Sequence, residues 1–88
     1  MSYSLITVPS CRDSIEKLTK KNRTMQDALD ARITQILANP HAFKPLRGRL
    51  RGAYRVHVLG SFVLIYEILE QENAVRLLRL THHDDAYK

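Results

Sequence analysis

Cysteine occurs once in these 88 residues, at Cys11, which excludes an intramolecular disulfide. Its spacing from Ile15 and Leu18 puts it on the apolar face of a helix, as a small core residue. No charged start followed by an apolar run has the form of a signal peptide. No apolar stretch approaches the roughly 18 residues that suggest a membrane span, so the expected location is cytoplasmic, with no membrane partner. His82, His83, Asp84 and Asp85 stand together near the end, but no Cys pair and no second cluster at ligand spacing accompanies them. Neither a metal site nor a cofactor is expected.

Acidic residues are missing altogether between Asp30 and Glu67, although the whole chain has 9 of them against 14 Lys and Arg, for a net charge of +5. Within that gap lie Arg32, Lys44, Arg47, Arg49, Arg51 and Arg55, with His41 and His57 able to add charge. Such a span suits a polyanionic partner. A solvated basic face is the alternative; the arginine content and its position against a sheet edge favour phosphate recognition.

The length and a hydrophobic content of 44% fit one globular domain over 1–88. Ser2 to Val8 is short, β-branched and aromatic, and reads as a strand ending at Pro9. Ser10 is placed to cap a helix carrying Cys11, Ile15 and Leu18 on one face. Thr24 to Asp27 repeats the capping pattern before Leu29, Ile33, Ile36 and Leu37, which recur at helical spacing until Asn39 and Pro40. A helical hairpin turning near Asn22 follows. In the basic segment, Leu46 and Leu50 can anchor the chain while the arginines stay solvated.

The register of the next hairpin decides where charge goes. A two-residue turn at Gly60 and Ser61 would put Phe62, Leu64 and Tyr66 on the face of Arg55 and His57. A three-residue connection, Leu59 to Ser61, instead pairs Val58 with Phe62, Val56 with Leu64 and Tyr54 with Tyr66 on one apolar face. Arg55 and His57 then share the other face with Val63 and Ile65. The second register sorts the side chains and is the expected one. Ala74 to Leu80 is apolar on both faces and reads as an interior strand. The expected class is α+β in the order β-α-α-β-β-β, with the helical hairpin on one face of a small, mostly antiparallel twisted sheet and the other face partly open.

With "PLRGRLRGAYRVHV", a turn, "FVLIYEI" and the ending "HHDDAY", the chain resembles the RelE/ParE toxin superfamily, and the RelE-like mRNA interferases in particular. The likeness covers nearly the whole chain. It implies a RelE-like fold and the toxin of a type II toxin-antitoxin system, which cleaves mRNA on the ribosome without a metal and is blocked by a RelB-like antitoxin. Carried over by position, Arg55 and His57 match the basic positions of the second strand, His82 and His83 the terminal His-Arg pair, and Tyr87 the closing tyrosine. Val63 departs from the pattern, standing where such toxins have an arginine, and His57 replaces a lysine or arginine.

Metal-free cleavage needs a base for the 2′-hydroxyl, cations for the phosphorane charge and an acid for the leaving 5′-oxygen. Arg55, His57, His83 and Tyr87 are the candidate catalytic set, histidine being suited to either proton role near neutral pH. Lys44, Arg47, Arg49, Arg51, Arg79 and His82 are the candidate RNA-binding set. A polar tail explains the His pair equally simply. Two further functions stay open: a ParE-like toxin that inhibits a DNA topoisomerase without catalysis, and an inactive relative that only binds its antitoxin.

Overall fold

The computed structural model describes residues 3–85. In chain order it has strand β1 (Ser4–Thr7), helices α1 (Pro9–Thr19) and α2 (Arg23–Ala38), and strands β2 (Lys44–Pro45), β3 (Ala53–Val58), β4 (Phe62–Leu69) and β5 (Ala74–His82). The sheet order is β1-β5-β4-β3-β2, with β1 parallel to β5 and the other neighbours antiparallel. The expected α+β class and helical hairpin are present, and β5 is interior.

Both helix starts differ from the capping expectation. The first helix begins at Pro9, with Val8 as N-cap and no side-chain cap bond. Proline at N1 is preset for helical φ and has no N–H to leave unpaired, so Ser10 falls inside the first turn instead of capping it. For α2 the cap is Asn22, whose side chain accepts from Met25 N–H at 3.0 Å, and Thr24 is already helical. Asn22 closes the hairpin and starts the next helix at once.

The β3–β4 hairpin has the three-residue register: Val58 faces Phe62, Val56 faces Leu64 and Tyr54 faces Tyr66. Its connection, Leu59 to Ser61, has Leu59 and Gly60 in the left-handed region, with φ of 54° and 72°. The last strand runs two residues past the expected Leu80, because His82 continues the ladder opposite Phe62.

The helices cover one face. Cys11, Met25, Leu29 and Ile36 meet Val56, Val58, Leu64, Tyr66, Val75, Leu77 and Leu80 in the main core. Tyr66 is wholly buried, stacks on half-buried Tyr54 at 5.5 Å and donates its hydroxyl to the Pro40 carbonyl at 2.5 Å. Burial, and secondarily Tyr54, raises its pKa, so the phenol stays neutral. Burial likewise pushes the Cys11 thiol up to about 11, which keeps it an apolar filler rather than a nucleophile.

The opposite face holds a smaller cluster. Ala53, Val63 and Ile65 are buried there beneath Leu46, Leu50 and Leu78. The basic segment therefore does anchor itself by its leucines, and Arg47, Arg49 and Arg51 stay exposed. It is also not wholly a loop, since β2 pairs Lys44 with Arg55 and Pro45 with Tyr54.

Candidate nucleic-acid interface

The alternation of β3 determines what the open face carries. Arg55 lies opposite Ile65 and His57 opposite Val63, so both cationic positions rise from the face that the helices leave uncovered. A bulge in β5 adds a third. Ile65 pairs with Arg79 and Tyr66 with Leu77, leaving Leu78 as the extra residue. Without that extra residue, Leu77 and Arg79 would share a face. With it, Leu77 enters the main core while Arg79 reaches the open face.

The two terminal histidines part company. His82 sits opposite Phe62, its ring edge-on to the phenyl at 5.6 Å. His83 turns to the open face and stacks on His57, with ring centroids 5.6 Å apart and planes inclined by 18°. Its N–H donates to the Ser61 carbonyl at 2.8 Å, so the hairpin connection fixes where the chain leaves the sheet. Asp84 N–H lies 3.3 Å from Nδ1 of His82, which accepts in the neutral ring. The Asp84 carboxylate is 3.7 Å from the same nitrogen, and that contact becomes an ion pair only when the ring is protonated. Tyr87 lies outside the described residues.

Beside His83 is a hollow of about 400 Å³ lined by Lys44, Pro45, Leu46, Arg47, Arg55 and His83. Arg49 and Arg51 are exposed on the turn beyond it and do not line it. Lys44 and Arg55 are direct cross-strand partners, an arrangement of like charges that costs stability unless an anion bridges them. Among the described residues, no acidic side chain is within ion-pair distance of Lys44, Arg47, Arg49, Arg51, Arg55 or Arg79. Arg76, by contrast, is neutralised by Glu67, to which its Nε donates at 2.5 Å. Val63, at the position where the resemblance puts an arginine, is fully buried under this surface.

One residue that the candidate set lacks belongs to the same neighbourhood. Arg32 of α2 donates from Nε to the His57 carbonyl at 3.1 Å and from Nη1 to Gln35 at 3.0 Å. Its place in the acid-free span was the only sequence signal; nothing local says that α2 crosses the β3 edge at His57. Among the described residues, no three His, Cys, Asp or Glu side chains converge as a metal-holding group. The chemistry this surface offers is that of imidazole pairs and fixed cations, suited to proton transfer beside a phosphodiester.

Comparison with known proteins is consistent in fold and family. The model of the ParE toxin of the type II toxin-antitoxin system parDE matches residues 8–87. A chain named toxin RelE4 in Methanocaldococcus jannaschii is 34% identical over 86 residues, covering 98% of this chain and 92% of that one. The toxin-antitoxin complex RelBE2 from Mycobacterium tuberculosis superposes with a TM-score of 0.79 at 24% identity, over 97% of this chain and 95% of that one. The isolated E. coli RelE toxin superposes at 0.77 with 19% identity, over 98% and 89%. At these identities the structural likeness is one of fold.

Proposed function

Because this chain belongs to the ParE toxin family of type II toxin-antitoxin systems, within the RelE/ParE superfamily, we propose that it stops translation by cutting mRNA on the ribosome without a metal ion. The observation that carries the reading is the stacked pair of His57 and His83 beside a hollow that Lys44, Arg47 and Arg55 also line.

In this reaction one imidazole, neutral, takes the proton of the 2′-hydroxyl as its oxygen attacks phosphorus. The P–O5′ bond breaks, and the other imidazole, protonated, gives its proton to the departing 5′-oxygen. A 2′,3′-cyclic phosphate and a 5′-hydroxyl result, with no net change in protons. Arg55 and Lys44 hold the charge that builds on the phosphorane oxygens, Arg47 and Arg79 hold neighbouring phosphates, and Tyr87, matched by position to the family's closing tyrosine, is given the role of stacking on a base. Translating ribosomes put this activity in the cytoplasm. A cognate RelB-like antitoxin covers the basic face when the toxin is silent, with an acidic segment over the hollow; solved relatives of the fold include the RelBE2 complex and the intact E. coli RelBE complex.

The buried Val63 favours a second reading, a toxin that inhibits a DNA topoisomerase by binding alone, because an apolar side chain stands where the resemblance puts a catalytic cation. Single-turnover cleavage on programmed ribosomes separates the two. H57A and H83A should each lower the rate by about a hundredfold or more, with thermal melting as the folding control, and H82A much less. Full cleavage by the H57A/H83A double variant would remove the pair from the mechanism. Toxicity that survives in that variant, together with loss of supercoiling activity, would establish the topoisomerase reading.

A further inference from the structure

A second hollow flanks Arg55 on the helix side of the β2–β3 edge, with a volume of about 370 Å³, and Arg32, Phe43, Lys44, Arg55 and His57 are among its lining residues. It shares Lys44 and Arg55 with the first hollow, and among the described residues no acidic one lines either. The edge between them is open because β2 is only two residues long and pairs no further along β3 than Arg55. Where a longer strand would bond the His57 carbonyl, the Arg32 guanidinium does so instead. Arg32 is half-buried and its guanidinium is held at two nitrogens, by the His57 carbonyl and by Gln35, so its orientation is fixed before any ligand arrives. A rigid cation in a concave site loses little side-chain entropy on taking a phosphate.

We infer that this second hollow is a phosphate subsite, and that the backbone of single-stranded RNA crosses the β2–β3 edge over Lys44, with one phosphate in the hollow of Arg47 and His83 and another in that of Arg32. The inference rests on the RNA reading of the open face and extends it around the edge. Arg55 and Lys44, common to both hollows, lie between the two phosphates and stay in reach of the scissile one beside His83. Arg32 thus has two roles: it closes the exposed edge of β3, and it gives the RNA path a second fixed charge.

The test is salt-dependent binding of fluorescent oligouridylates to the whole chain. Wild type should bind a hexanucleotide more tightly than a dinucleotide. R32Q should weaken hexanucleotide binding and reduce its salt slope by about one, while leaving the dinucleotide nearly unchanged; R32K should restore the slope. Gln keeps a donor without the charge, so the pair also serves if R32A does not fold. An unchanged slope in R32Q with a lowered melting temperature would overturn the inference and leave Arg32 as an edge cap. If R55A then reduces the slope where R32Q does not, the RNA reading stands without the second subsite. If wild type shows no salt-dependent binding to either oligonucleotide, both fall.

Discussion

The two faces of this sheet are built by opposite rules. On the helix side, side chains from α1, α2 and the three strands β3, β4 and β5 close over one another, and most of the main core is fully buried. On the open side, Ala53, Val63 and Ile65 form a thin apolar floor under Leu46, Leu50 and Leu78, and around it stand Lys44, Arg47, Arg55 and Arg79, which no acidic side chain among the described residues pairs. One face stores the stability; the other spends part of it on like charges held together. Lys44 and Arg55 are cross-strand neighbours of the same sign, tolerable because the sheet beneath them is held from the far side.

The largest expected difference between the faces is in the cost of a lost leucine. Leu29 is 2% exposed inside the helix-side core, and Leu29→Ala should destabilise the fold by about 3 kcal/mol through lost burial and the cavity left behind. Leu46 is half-buried over the open-side floor, where water can refill the space, and Leu46→Ala should cost about 1 kcal/mol. Urea denaturation of both variants checks the contrast. Equal costs would mean that the basic segment is as much a part of the core as the helices are.

The next difference is in alkali. In the folded chain the Cys11 thiol has its pKa pushed up to about 11 by burial, and Tyr66 is raised from its ordinary value by the same cause. Both groups are bound in their neutral forms. Their contribution is fully present below the unfolded thiol value near 9 and is lost as the pH rises through the folded one, because the unfolded chain gives up its protons first. Stability should therefore fall between pH 9 and 11, by about 2 to 3 kcal/mol for the thiol alone. Cys11→Ala should be less stable at pH 8 yet flatter across that range, as measured by urea midpoints at each pH.

What could be read from the sequence divides along the same line. The helix-side face was legible because it repeats: Leu29, Ile33, Ile36 and Leu37 mark a helix, and only one hairpin register puts Tyr54, Val56 and Val58 beside Tyr66, Leu64 and Phe62. The open face depends on features without a period. A two-residue strand containing Pro45 leaves no alternation to detect, and the extra residue Leu78, which sends Arg79 to the open side, is visible only once β4 and β5 are paired. Arg32 reaches His57 across 25 residues of chain, a contact that no local pattern encodes. The caps differ for a related reason. Ser10 and Thr24 fit the capping pattern, but the N-caps are Val8 and Asn22, each two residues earlier.

The smallest effect expected is at the hairpin connection, where the faces meet. Leu59 adopts φ 54° with 47% of its surface exposed, so it has the strain of a left-handed β-carbon and little burial to offset it. Asparagine tolerates that conformation. Leu59→Asn should stabilise the fold by up to about 1 kcal/mol, raising Tm by up to about 4 to 8 °C. The Ser61 carbonyl that holds the His83 N–H is two residues further on, so a better-fitted turn should leave the His57 and His83 rings where they are. On the mRNA-cleavage reading, the activity of Leu59→Asn should then equal wild type at 25 °C and persist to a higher temperature. A variant that melts later but cleaves more slowly would show instead that the exposed leucine is a contact with the ribosome, and that the open face extends to the tip of the hairpin.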